Sequence, residues 1–85
     1  MSVRIVYFAW VRERIGKGSE EIDLPDTVVT IGDLIGHLST LGEEYAAVFE
    51  VPQVIRAAID EEHAEHDEVI GNAREIALFP PMTGG

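Results

Sequence analysis

From Val3 to Trp10 the chain reads as a strand. Ile5, Tyr7 and Ala9 alternate with Val6, Phe8 and Trp10, and both faces turn apolar towards its end. One face is expected to meet a helix, and the other needs its own explanation. The stretch "VRERIGKGS" reads as a longer connection with one helical turn over Val11–Ile15, closed by Gly16 and Gly18. Glu20–Leu24 alternates polar and apolar and suits an edge strand pairing back with the first, ended by Pro25-Asp26. Ile31, Leu34, Ile35, Leu38 and Leu41 then fall on one stripe at helical period, with Thr30 at the N-cap, Asp33 in the first turn and Gly42 as the stop. Gly32 and Gly36 weaken this helix by about 1 kcal/mol each relative to Ala. A second short helix is expected in "EEYAAVFE". A strand follows over Gln53–Asp60, with Val54, Arg56 and Ala58 opposite Ile55, Ala57 and Ile59. The polar "EEHAEHDEVIGN" is turn-rich, with room for a short strand or helical turn. Arg74–Phe79 is the last strand, with Ile76 and Leu78 on one face and Ala77 and Phe79 on the other.

Strand, strand, helix, strand, strand is the order of an α+β fold, a mixed sheet with one main helix packed across one face. Residues 1–79 are expected to form the domain and residues 80–85 an extended tail. With 85 residues, 46% of them hydrophobic, the chain suits one domain with a core of its own. Its apolar runs are too short to span a bilayer, and the N-terminus lacks a signal-peptide pattern. The absence of cysteine removes disulfides, thiolate metal sites and Cys nucleophiles, and it makes a reducing cytoplasm the expected location. A formal charge of −10 disfavours nucleic acid and anionic membrane as partners and suits a basic protein.

Candidate chemistry is sparse before the tail. His63 and His66 sit among Glu62, Glu65 and Asp67, but this spacing without a helix to fix it reads as a solvated acidic loop, and no metal site is expected. The pairs Glu20-Glu21, Glu43-Glu44 and Glu61-Glu62 do not converge, because neighbours on a strand point to opposite faces and neighbours on a helix diverge by about 100°. No phosphate-binding or nucleophile-elbow motif is present. The ending "FPPMTGG" differs from all of this. Pro80 and Pro81 cannot donate to a sheet and favour an extended course. Pro80 to Gly85 can therefore reach up to roughly 20 Å, tipped by Gly84 and Gly85, which pass where a Cβ cannot. A frayed terminus accounts for the glycines but not for the paired prolines ahead of them.

The stretches "YFAWVRERIG" and "EIALFPPMTGG" together resemble the small-subunit family of molybdopterin synthase, ubiquitin-like sulfur carriers, over the whole chain. The resemblance implies a ubiquitin-like β-grasp fold. It implies that the Gly85 carboxylate is adenylated by a ubiquitin-activating-type adenylyltransferase using ATP and Mg²⁺. A persulfide sulfur donor then turns it into a thiocarboxylate, which supplies sulfur to cyclic pyranopterin monophosphate in molybdenum cofactor biosynthesis. No cofactor is expected on this chain itself, and catalytic side chains are expected on the large subunit, in a heterotetramer. Pro80, Pro81, Met82, Thr83 and Gly84 would enter that subunit with the tail, while Phe8, Arg12, His63 and Phe79 map to partner-facing positions. The sequence departs from the family at several places: Asn72-Ala73-Arg74 replaces an Asp-Gly-Asp turn, Asp60 replaces an Asn, and His63 stands at an apolar interface position. Gly71 is then the residue expected to supply the turn's permissive φ. A sulfur carrier for thiamine synthesis or another sulfur pathway, and a plain β-grasp binding module, are the alternative readings.

Overall fold

A computed structural model of the protein describes residues 2–81. Five strands, β1 (Ser2–Tyr7), β2 (Ser19–Asp23), β3 (Arg56–Ile59), β4 (Glu62–Ala64) and β5 (Glu75–Phe79), form one sheet in the order β2-β1-β5-β3-β4. The first and last strands pair in parallel at its centre, from Arg4 opposite Glu75 to Tyr7 opposite Leu78, and the other three pairings are antiparallel. Helices α1 (Ala9–Ile15), α2 (Ile31–Leu38) and α3 (Glu43–Val48) complete the fold. This is a ubiquitin-like β-grasp, a mixed sheet with its main helix on one face. Among the described residues, no helix is long and apolar enough to cross a membrane.

Strand alternation decides which face is filled. Val3, Ile5 and Tyr7 of β1, Ala57 of β3, and Ile76 and Leu78 of β5 are buried, as are Ile31, Leu34, Ile35 and Leu38 of α2, all in one cluster. The start of α2 is fixed by a reciprocal cap. Thr30 Oγ1 accepts from the Asp33 N–H at 3.1 Å, and Asp33 Oδ2 accepts from the Thr30 N–H at 3.1 Å. Burial of the described side chains leaves no buried polar side-chain atom without a partner.

The chain departs from its periodicity in four places. β1 stops at Tyr7 rather than Trp10: Phe8 keeps an extended backbone, Ala9 turns left-handed at φ +52°, and α1 begins there. The turn lets Val11 and Ile15, four apart, drop into the core together. α2 ends at Leu38, because the Ser39 and Thr40 hydroxyls donate to the carbonyls of Gly36 and His37 at 2.7 and 2.6 Å. Leu41 is consequently exposed, and Gly42 caps the start of α3 instead of stopping α2. Pro52–Val54 forms a 3₁₀ turn, so the third strand shortens to Arg56–Ile59, though its inward Ile55 and Ala57 remain as the alternation requires. The last strand begins at Glu75 because the Arg74 and Glu75 N–H groups both donate to Asp60 Oδ1 at 3.0 Å. Asp60, at φ +48°, thus joins the β3–β4 turn to the start of β5, and Gly71 supplies the positive φ (+61°) of the preceding turn as expected.

The two glycines of α2 differ. A Cβ on Gly36 would meet nothing within 4 Å, whereas one on Gly32 would lie 3.3 Å from the His66 carbonyl oxygen, which already accepts the Gly32 N–H at 2.8 Å. Gly36→Ala should therefore stabilise the fold by about 1 kcal/mol, raising Tm by about 4–8 °C. Gly32→Ala should gain less or lose stability, and thermal melts of the two variants side by side test the difference.

Candidate docking face and tail root

The outward side of the sheet is read from its register. Val6 lies opposite Ser19 on β2 and Ala77 on β5, Ala77 opposite Ala58 on β3, and Ala58 opposite His63 on β4. One row thus runs across all five strands, and its middle is small and apolar. On the side nearer the start of β1, Arg4 stands between Glu21 and Glu75. On the other side Phe79 stands opposite Arg56. Phe8, whose N–H donates to the Leu78 carbonyl at 3.1 Å, continues the parallel ladder one residue beyond Tyr7. Tyr7 points inward, so the extended Phe8 points outward, and its side chain is 48% exposed. The result is a flat alanine-valine centre with two phenylalanines at the end where β5 leads into Pro80. Such a surface lets a partner approach closely and offers aromatic anchors.

The structure therefore brings Phe8, Phe79 and His63 onto one face. Arg12 is not part of it in the same way: it lies one turn into α1, its N–H donating to the Phe8 carbonyl at 3.3 Å and its guanidinium against Gly18. Pro80 and Pro81 follow Phe79, the last paired residue of β5, outside any strand and half-buried. Met82, Thr83, Gly84 and Gly85 lie outside the described residues. His66 Nε2 is 2.7 Å from the Ile55 carbonyl, which ties the β4–β5 loop to the start of β3, while His63 stands on the outward side of β4. Among the described residues no three His, Asp or Glu side chains group to hold a metal ion.

Beneath the face is a cluster that periodicity did not reveal. Glu20 points inward from β2, and its Oε2 accepts from the hydroxyls of Tyr7 and Tyr45 at 2.7 and 2.6 Å. Lys17 Nζ lies 3.3 Å from Oε1. Glu21, its neighbour, instead faces outward and accepts from Ser2 Oγ at 3.0 Å, so the two carboxylates diverge as the strand geometry requires. Burial raises the Glu20 carboxyl, but the Tyr45, Tyr7 and Lys17 donors outweigh it, and its pKa falls below the ordinary 4.5. Burial first, and the hydrogen bond to Glu20 second, push both tyrosine hydroxyls up. The signal available in sequence was chemical: a tyrosine in an otherwise apolar inward row needs a partner for its hydroxyl. The cluster pins α3 to β1 and β2 on the side of the sheet opposite the outward row.

The ThiS family model matches residues 5–85, and the chain belongs to that family. It is 36% identical to the molybdopterin synthase sulfur carrier subunit of Dictyostelium discoideum, over 96% of this chain and 94% of that one. The C. elegans protein of the same description is 30% identical over 100% of this chain and 99% of that one. Among solved structures, a Pyrococcus furiosus protein described as a putative molybdopterin converting factor subunit 1 superposes with a TM-score of 0.75, covering 96% and 99% of the two chains at 23% identity, a likeness of fold.

Because the folded-state pKa of Glu20 lies below its unfolded value, its contribution to stability is complete above about pH 4.5 and is lost as pH falls through the folded value. Glu20→Gln should thus be less stable than the unaltered protein at pH 7, with the gap closing as pH falls below about 4.5 and through the lowered folded value. Urea unfolding across that range measures it, and a gap constant with pH would remove the charge from the account.

Proposed function

We propose that this chain is the sulfur carrier subunit of a molybdopterin synthase, carrying sulfur as a thiocarboxylate on Gly85. The observation that carries the reading is the continuity of "FPPMTGG" with β5. A strand held on both sides ends in Phe79 on an apolar outward face, and two prolines then take the chain out of the sheet. The names of the relatives support the same assignment.

In this reading the Gly85 carboxylate attacks the α-phosphate of ATP on an activating enzyme, with Mg²⁺, and pyrophosphate leaves. The terminal sulfur of a persulfide then attacks the acyl carbon of the mixed anhydride and displaces AMP. Cleavage of the resulting acyl disulfide by a second thiol leaves the thiocarboxylate. The carrier docks on the synthase large subunit through Phe8, Phe79 and the Val6–Ala77–Ala58 row, and the tail delivers its sulfur to cyclic pyranopterin monophosphate. The carrier's own side chains supply placement, and the chemistry of transfer belongs to the partner.

Thiol-selective alkylation of the protein from its native cell, followed by mass spectrometry of the tail peptide, tests the sulfur. Alkylation is needed because oxidation of Met82 nearly mimics an oxygen-to-sulfur exchange. With no cysteine in the chain, an alkylated tail identifies the thiocarboxylate. A tail left unlabelled after incubation with the activating enzyme, sulfur donor and ATP would sink the proposal in favour of a plain binding module. Deleting the gene should abolish molybdoenzyme activity and leave thiamine prototrophy intact, and the reverse would reassign the pathway.

Docking has its own test. Phe8→Ala should weaken binding to the large subunit at least tenfold, about 1.4 kcal/mol or more, with an unchanged melting temperature, as measured by calorimetry on the full chain.

A further inference from the structure

At the end of the molecule away from Phe79, the loops flanking the start of α2 enclose a shallow apolar groove of about 230 Å³. Leu24 and Ile70 are buried at its base, while Val29 and Val69 stand 47% and 63% exposed at its edge. The edge is held by backbone pairing. The Ile70 N–H donates to the Val29 carbonyl at 2.8 Å, Thr30 and Val69 form an antiparallel bridge, and the Ile31 N–H donates to the Glu68 carbonyl at 3.1 Å. Two branched aliphatic side chains thus stand exposed at the edge of one groove, an arrangement that solubility alone does not call for.

Charge says what kind of occupant fits. Apart from Glu13 and Glu75, every acidic residue of the chain lies in residues 18–55 and 57–73, and neither segment contains Lys or Arg. Both walls of the groove come from these segments, with Asp26 lining it and Glu68 directly before Val69. Net negative charge on the segments forming both walls, with Arg4 and Arg74 in the neighbouring recess rather than in the lining, attracts a basic partner to the apolar floor and disfavours a second copy of this chain. The volume falls below the roughly 300–1,000 Å³ of small-molecule pockets and suits one or two side chains of a polypeptide.

We propose that this groove docks a segment of a second protein in which a Leu, Ile or Met side chain is flanked by Lys or Arg. The groove lies away from the root of the tail. Ser2 opposite Asp23, next to Leu24, and Tyr7 opposite Leu78, next to Phe79, mark the two ends of β1. A protein in the groove and a protein at Phe8 and Phe79 engage opposite poles.

The test uses ¹⁵N-labelled full-length protein titrated with the synthetic peptide acetyl-Lys-Arg-Leu-Ile-Lys-Arg-amide. Two controls carry Glu at every basic position or Ser in place of Leu and Ile. Amide shifts centred on Val28, Val29, Val69 and Ile70 are expected with the first peptide and absent with both controls. Val69→Asp separates apolar docking from simple charge attraction, since it adds negative charge while removing apolar surface: affinity should fall on the order of tenfold, where attraction alone would make it rise. Val69→Ser serves the same purpose if the Asp variant melts early. Shifts spread over all the acidic segments, binding retained by the Ser control, shifts on the Phe8–Phe79 face, or concentration-dependent shifts without peptide would each overturn the proposal.

Discussion

The parallel pairing of β1 with β5 is the constraint on which the rest of the molecule depends. It joins residues about seventy positions apart and sets both strands in the middle of the sheet, flanked by β2 and β3. Through it the inward Ile5, Tyr7, Ile76 and Leu78 lie side by side under α2, and the outward Val6 and Ala77 lie side by side on the opposite surface. It also puts the exit of β1 and the exit of β5 at the same end, which is why an aromatic residue from each is available next to the root of the tail. Core and outward surface are two sides of one register.

That register explains why one face of the sheet is filled and the other is flat. The filled face takes branched and aromatic side chains from the strands and a stripe of four from α2. The outward face holds two alanines and a valine at its centre, residues that leave little relief and lose little side-chain entropy on contact. Charges are kept to its margins, with Arg4 between two glutamates on one side and Arg56 beside Phe79 on the other. Glu20 anchors this arrangement from below, because its two tyrosine donors come from β1 and α3 and cannot be satisfied unless both are in place.

Much of this was legible in the residues. The alternation of β3, of β5 and of β1 as far as Phe8 separated the two faces of the sheet, and Thr30 was visible as the N-cap of α2. The boundaries were not legible where a local bond outranks periodicity: Ser39 and Thr40 end α2 before Leu41, and Ala9 leaves the strand although alternation continues through Trp10. His63 was read from a family position and stands on the outward side of the sheet, whereas Arg12, read the same way, lies on α1. The Glu20 cluster and the groove at Val29 and Val69 depend on pairs far apart in sequence, one joining Glu20 to Tyr45 and the other joining the β2–α2 loop to the β4–β5 loop. No periodicity within a window of residues carries that information.

The long reach of the β1–β5 pairing also has a meaning in time. Contacts between distant segments form late and slowly, because the loop between them must close first. While the chain is being synthesised, Val3, Ile5 and Tyr7 wait beside an empty lane until residues 75–79 have been made. A ribosome that stalls earlier releases a chain whose sheet has no centre, and such a chain is open to chaperones and proteases. A product cut short before β5 has no strand to join β1 to β3, so neither the core nor the outward row of the sheet assembles.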